Sequence, residues 1–190
     1  MRLILASASP RRLDLLARIG VAVAAVDPAE IDETPLPHEK PADYARRIAA
    51  AKAAIVAPRH PGAVVLAADT VVAAGRRILP KAADADEVRA CMTLLAGRRH
   101  HVLSAVTVVD ASGVARHRLS DSIVTFGPLS ATTIAAYAES GEGVAKAGGY
   151  AIQGRAEAFV RALSGSHSGV VGLPLFETRA LLLSAGIPLG

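Results

Sequence analysis

The stretch Val64–Val72, VVLAADTVV, limits the possible fold more than any other. It is a nearly continuous apolar run, the pattern of a strand buried on both faces inside an α/β sheet. Asp69 and Thr70 interrupt it. A buried carboxylate is costly unless it is paired, hydrogen-bonded or bound to a metal. Open α/β sheets also place their ligands at the carboxyl ends of central strands. The competing reading is an aspartate at a strand end, solvated or capping a turn, but Val71 and Val72 carry the run past it.

The flanking pattern supports an α/β chain with a mixed sheet. Strand Leu3–Ala6 runs into a helix over Pro10–Ile19, closed by Gly20, with Ser9 as N-cap and Pro10 at the first helical position. Residues 21–27 read as a second strand and residues 30–41, with three prolines, as a loop. A helix is predicted over Ala42–Val56, then the strand Val64–Val72, a connector from Leu79 to Ala83, and a helix over Ala85–Leu95. His101–Asp110 and Val114–Phe126, joined through Ala111-Ser112-Gly113, give a hairpin signal. Ser130 caps a helix ending near Ser140. Residues 144–154 form a Gly-rich loop or strand, Ala158–Leu163 a strand and Leu173–Leu183 a closing helix. There is no internal repeat and no disordered linker, so the 190 residues are expected to form one domain.

Composition removes several classes of function. Aromatics are 3% and Trp is absent, so base stacking of the single-strand-binder kind is poorly supplied. A net charge of +4 suits a phosphate-bearing partner but is too mild for duplex DNA. Cys91 is the only cysteine, which rules out an intramolecular disulfide and a cysteine-cluster metal site. It lies in a helical pattern beside Leu94 and Leu95, as a buried bystander would. No signal-peptide pattern and no apolar run of about 20 residues is present, so a cytoplasmic protein without a membrane span is expected.

The first strand leads into Ser7, Ala8, Ser9, Pro10, Arg11 and Arg12. A helix start exposes free N–H groups and attracts phosphate, while serine hydroxyls and guanidinium forks can add donors. An ordinary N-cap with solvated arginines fits the same residues. In the next helix Tyr44, Ile48, Lys52 and Ile55 share one face, so Lys52 sits on an apolar stripe, either buried for a purpose or snorkelling to solvent. Lys81 lies in a connector and Glu33 in the Pro-rich loop, where solvated side chains need no explanation. Taken together, several cations, at least two carboxylates and a helix start suit a Mg²⁺-assisted cleavage of a phosphoanhydride. The chain has no P-loop, no dinucleotide fingerprint, no nucleophile elbow and no HExxH motif. His100 and His101 are adjacent, so in a strand they face opposite sides and make a poor ligand pair.

These motifs, in this order, resemble the Maf family of nucleoside triphosphate pyrophosphatases. LASASPRR (5–12), IDE (31–33), the run ending at Lys52, AADTVV (67–72), Lys81, KAGGYAIQG (146–154) and VVGLPLFET (170–178) carry the resemblance across nearly the whole chain. It implies an elongated mixed sheet flanked by helices, with two lobes and a central cleft, related to the inosine triphosphate pyrophosphatase architecture. It also implies hydrolysis between the α and β phosphates, giving a nucleoside monophosphate and pyrophosphate. Asp69 would then be the general base for the attacking water, or a metal-linked equivalent, with Glu33 its partner at a divalent Mg²⁺ or Mn²⁺ ion. Arg12, Lys52 and Lys81 would neutralise the triphosphate, with Ser7 and Ser9 seating it. The resemblance makes a homodimer plausible and gives no reason to expect nucleic-acid binding.

Arg11, Thr70 and Gln153 fall where the branches of the family differ, and match the branch that resembles dTTP/UTP pyrophosphatases. A glutamine can accept from a pyrimidine N3–H and donate to O4. The 7-methyl-GTP branch, with glutamine and glutamate in place of Thr70 and Gln153, is the alternative. A non-catalytic cell-division regulator that binds nucleotide is a second. Ala82, Ala145 and the segment Arg155-Ala156-Glu157 depart from the family pattern.

Overall fold

The computed structural model describes residues 1–189. Seven strands form one mixed sheet in the order β2-β1-β3-β5-β6-β7, with β4 attached to β3. The strands are β1 (Leu3–Leu5), β2 (Ala25–Val26), β3 (Val64–Ala74), β4 (Arg77–Leu79), β5 (Arg99–Val109), β6 (Ala115–Phe126) and β7 (Val160–Ser164). The helices are α1 (Pro10–Arg18), α2 (Pro41–Val56), α3 (Ala85–Leu95), α4 (Ala131–Glu139), α5 (His167–Val171) and α6 (Leu175–Ser184).

The apolar run became the strand that organises the sheet. All but two residues of β3 are buried, as expected of a strand covered on both faces. On one face Val65, Ala67, Val71 and Ala73 meet α2. On the other, Leu66, Ala68 and Val72 join the large core built with α1, α3, α4 and α6. One edge of β3 pairs antiparallel with β5 from Val65 to Ala73. The other edge is shared. Leu3–Leu5 of β1 pair with Val64–Leu66 in parallel, and β4 pairs antiparallel with Val72–Ala74. Between those pairings Ala67–Val71 carry no strand on that edge. Asp69 and Thr70 sit in the middle of this gap, and side-chain alternation sends them to opposite faces of the sheet.

Two predicted elements differ, and two short elements, β4 and α5, come in addition to the expected ones. The strand expected over residues 21–27 shrinks to Ala25–Val26. The Val21 N–H bonds back to Leu16 at the end of α1, and only Ala24 and Asp27 donate to carbonyls of β1. The strand expected over Ala158–Leu163 begins later, because Arg155–Phe159 first make a 3₁₀ turn. The closing helix expected over Leu173–Leu183 is α6, and α5 is a further short helix before it. Gly172 and Leu173 both donate to the Ser168 carbonyl and end α5, and Pro174 precedes the fresh start of α6. The short strand β4 precedes the connector and is not among the expected elements; it forms because β3 runs on to Ala74 and turns at Gly75. The hairpin β5–β6 and the helices α1 to α4 lie where the sequence places them, within two residues at each end.

Candidate active site

The gap in β3 opens into a cavity of about 480 Å³. All ten site residues expected from the sequence line it: Ser7, Ser9, Arg11, Arg12, Glu33, Lys52, Asp69, Thr70, Lys81 and Gln153. They come from α1 and the turn before it, the Pro-rich loop, α2, β3, the connector after β4 and the loop after α4. A recess of about 340 Å³ beside Tyr44, Ile78 and Leu79 adjoins it and shares Glu33, Asp69, Thr70 and Lys81.

The α2 wall is a chain of ion pairs. Lys52 is 7% exposed and Asp69 3%, so neither is solvated on the surface. The Lys52 ammonium lies 2.9 Å from Asp69 Oδ1 and 2.7 Å from Glu33 Oε1. Lys81 Nζ donates to Glu33 Oε2 at 2.6 Å. The apolar stripe on α2 therefore delivers an ammonium to the two carboxylates rather than letting it snorkel, and it continues to buried Val56 while Ile55 is exposed. Burial pushes the Glu33 carboxyl up, but the hydrogen bonds from Lys52 and Lys81 outweigh it and hold the group below the usual range.

Glu33 sits on a loop, so its position needs separate support. The Tyr44 hydroxyl donates to the Glu33 carbonyl at 2.7 Å. The Arg47 guanidinium grips both oxygens of Glu39, at 2.6 and 2.7 Å, and reaches the Thr34 carbonyl at 3.2 Å. Helix α2 thus holds the loop at three points. Burial, with the nearby Asp69 and Glu33 carboxylates, pushes the Tyr44 hydroxyl up to about 12, so it remains a donor.

The α1 wall is organised by Arg12, which is 9% exposed. Its Nε donates to the Gly172 carbonyl at 2.8 Å and its Nη1 to Ser7 Oγ at 2.7 Å. Ser7 Oγ also accepts from the Ser9 N–H at 3.3 Å. Ser9 occupies the N-cap position but makes no capping bond with its side chain, so its hydroxyl is uncommitted at the mouth of the helix. The first turn of α1 accordingly keeps donors available for an anion.

Thr70 faces the other side of the sheet from Asp69. Its hydroxyl is 2.8 Å from Ser104 Oγ and 3.4 Å from the Gly172 carbonyl. Ser104 is fully buried and donates to the Gly169 carbonyl at 2.7 Å. Gly172 therefore joins Arg12 and Thr70 through one carbonyl oxygen. Gln153 is exposed on the loop 144–154, at the far wall. That loop is bound to the connector by a single bridge, Lys81 opposite Ala147, and by bonds from Ala145 N–H to Ala82 O, Ala82 N–H to Lys146 O and Gly148 N–H to Pro80 O.

Ser104, Tyr44, the Gly172 carbonyl and Lys146 belong to the cavity walls or their supports and were not singled out as site residues. Ser104 did leave a signal: it is a polar break in the apolar run of β5, opposite Thr70 in register. A backbone carbonyl leaves none. Cys91 is buried in α3, and burial pushes its thiol up, as suits an inert core residue. His100 and His101 do face opposite sides, one buried and the other paired with Asp121 at 2.8 Å.

Among the described residues no group of three His, Cys, Asp or Glu side chains is placed to hold a metal. The available set is two carboxylates, Asp69 and Glu33, both in contact with one ammonium. That set suits Mg²⁺, which is commonly held by one or two carboxylates together with substrate phosphates rather than by an all-protein cage.

The model of the family of Maf-like proteins matches residues 2–185. A dTTP/UTP pyrophosphatase from Sphingopyxis alaskensis is 65% identical over 188 residues, covering 99% of this chain and 98% of that protein. One from Rhodospirillum rubrum is 60% identical, covering 97% of this chain and 88% of the other. Among solved structures, the Staphylococcus aureus Ham1 protein overlaps 66% of this chain and 72% of its own with a TM-score of 0.49 and 11% identity.

Proposed function

The chain belongs to the Maf family, and we propose that it hydrolyses the α–β phosphoanhydride of dTTP and UTP to the nucleoside monophosphate and pyrophosphate. The observation that carries this reading is the Asp69–Lys52–Glu33–Lys81 chain at the unpaired edge of β3, facing a cavity to which Arg11, Arg12 and Lys146 add further cations. Such a site tolerates a polyanion and holds a carboxylate ready beside it. The relatives named dTTP/UTP pyrophosphatase support the choice of substrate.

In this reading a water attacks the α-phosphorus and the bond to the bridging oxygen breaks, releasing pyrophosphate. Asp69 takes the proton of that water. Lys52, between two carboxylates, holds Asp69 in place and neutralises charge that develops on the phosphoryl oxygens. Lys81 and Arg12 bind phosphate oxygens, Arg12 in a fixed orientation because Gly172 and Ser7 already hold two of its donors. Ser7, Ser9 and the first N–H groups of α1 complete the seat. Asp69 and Glu33 would hold a Mg²⁺ or Mn²⁺ ion, which supplies Lewis-acid polarisation of the phosphates when bound. Arg11, Thr70 and Gln153 select the nucleotide. Gln153 offers both a donor and an acceptor to a pyrimidine edge. A cytoplasmic location is part of this reading, since nucleoside triphosphates are cytoplasmic metabolites.

The test is pyrophosphate release from a panel of dTTP, UTP, CTP, GTP and 7-methyl-GTP with Mg²⁺ or Mn²⁺. Turnover should be confined largely to dTTP and UTP, and Asp69→Asn should lower kcat by about a thousandfold or more. Absence of pyrophosphate from dTTP and UTP overturns the reading. Preferred turnover of 7-methyl-GTP assigns the other branch.

A further inference from the structure

The cavity holds five cations, Arg11, Arg12, Lys52, Lys81 and Lys146, against two carboxylates, Glu33 and Asp69. Three of the five are committed. Lys52 and Lys81 are ion-paired, and Arg12 is hydrogen-bonded to Gly172 and Ser7. Arg11 and Lys146 are not. Among the described residues neither forms an ion pair, and the Lys146 ammonium touches only the Val144 carbonyl at 3.2 Å. Arg11 Nε is buried without a partner.

The two cations come from opposite walls, Arg11 from the first turn of α1 and Lys146 from the loop after α4. They are close enough to feel each other. Burial lowers the Lys146 pKa and the Arg11 charge lowers it further, against a weaker opposing pull from Glu142. Burial also lowers Arg11. Two partly buried like charges that form no ion pair are unfavourable as they stand, though Glu142 offsets part of this at Lys146. An anion entering between them relieves the rest.

The backbone holds Lys146 in this position at some cost. Ala145 before it has φ of 58°, the left-handed region, which an L-residue with a Cβ adopts reluctantly. It is kept there by the bond from Ala145 N–H to Ala82 O at 2.7 Å and by the return bond from Ala82 N–H to Lys146 O at 3.1 Å. Lys146 is therefore fixed to the same short bridge that carries Lys81.

We propose that Arg11 and Lys146 form a clamp for the terminal phosphates of the triphosphate and hold the pyrophosphate as it leaves. The inference rests on the hydrolysis of dTTP and UTP proposed above. It gives Arg11 a phosphate-binding role beside the nucleotide-selecting one, and it gives Lys146 a role in the reaction.

Calorimetry with the full-length protein and Mg²⁺ tests it, using inorganic pyrophosphate and UMP as separate probes. Lys146→Ala and Arg11→Ala should each weaken pyrophosphate binding about tenfold to a hundredfold, the range for a charged hydrogen bond. UMP affinity should change less than about twofold in Lys146→Ala, since UMP lacks the terminal phosphates. Lys146→Arg should recover most of the pyrophosphate affinity and, being conservative, shows that the loop still folds. In turnover, KM for UTP should rise more than kcat falls. Unchanged pyrophosphate affinity in either alanine variant overturns the clamp, and so does a loss confined to UMP. Should the unaltered protein bind pyrophosphate in this pattern yet hydrolyse neither dTTP nor UTP, the clamp stands and the proposed reaction fails.

Discussion

The two long walls of the cavity are built in opposite ways. The α2 wall is buried in the sheet, and its ionic groups are already paired: Lys52 touches Asp69 and Glu33, and Lys81 touches Glu33. The loop wall, residues 144–154, is made of turns and glycines and presents Lys146 and Gln153 without ionic partners. One wall is organised before any ligand arrives. The other is completed by the ligand. Groups that must act on a reacting atom gain from being held in advance, since the cost of ordering them is met in folding. Groups that recognise gain from being left unsatisfied, because the wrong ligand then leaves them so.

Replacing Lys52 by Met should show the largest effect, because it removes the cation that both carboxylates share. Asp69 and Glu33 would face each other with only Lys81 to compensate, and breaking a buried pair from one side costs about 3–5 kcal/mol. We expect Lys52→Met to lower stability by about 3 kcal/mol in urea unfolding. We expect kcat/KM for dTTP to fall about a thousandfold. A variant as stable as the parent would show that the α2 wall is not held by this ammonium, and the contrast between the walls would collapse.

Gly148→Ala probes where the walls touch. Gly148 has φ of 66°, and a Cβ there would lie 2.7 Å from Val72 Cγ1 and 2.8 Å from Val72 Cβ on β3. Neither atom is the end of a flexible chain, so the loop must move. The left-handed φ costs about 1–2 kcal/mol for a residue with a Cβ, and overpacking adds about 1–3 kcal/mol. Since β3 is fixed on both faces, the displacement should fall on Lys146 and Gln153. KM for dTTP should rise about tenfold while kcat changes less than about threefold. An equal fall in kcat would mean that the loop also sets the geometry of the reacting groups.

The same division explains what could be read in the sequence. Asp69, Thr70 and Lys52 stand out in the sequence as polar residues in apolar settings, and β3 and α2 by their periodicity, whereas Glu33 and Lys81, in loops, are marked only by the family resemblance. The structure brings them to one cavity. What escaped was non-periodic or non-local. Helix α5 spans five residues, too few for a periodic signal. β4 is three residues long. The shortening of β2 follows from a backbone bond between Val21 and Leu16 that no side-chain pattern encodes. Ser104 and the Gly172 carbonyl gain their meaning only when β5, β3 and α5 are side by side. The gap in one edge of β3, which locates the cavity, is a property of how β1 and β4 share that edge. It depends on sheet order and not on any residue in the gap.

His100 gives the smallest and most specific test, because it lies behind the loop wall rather than in the cavity. It is 1% exposed, with Nε2 2.8 Å from the Tyr150 hydroxyl and its ring edge-on to Phe126 and Tyr150. Tyr150 in turn lines the cavity two residues after Gly148. Burial, aided slightly by His101, lowers the His100 pKa to about 4. In the unfolded chain the same imidazole takes up its proton near about 6.5. Between those values the unfolded chain binds more protons, so this residue's contribution to stability is complete above about 6.5 and is lost as pH falls toward about 4. The expected loss between pH 7 and pH 5 is about 2 kcal/mol. His100→Phe keeps an aromatic ring but cannot titrate. It also leaves the Tyr150 hydroxyl without its partner, a pH-independent cost of about 1–3 kcal/mol. Urea unfolding of both proteins at pH 7, 6 and 5 separates the two effects. The stability difference should be largest at pH 7 and shrink by about 2 kcal/mol at pH 5. Parallel pH profiles would show that His100 is protonated in the folded state. The wall behind Gln153 would then tolerate a buried charge, as the α2 wall does, and the contrast between the two walls would have to be narrowed to the cavity surface.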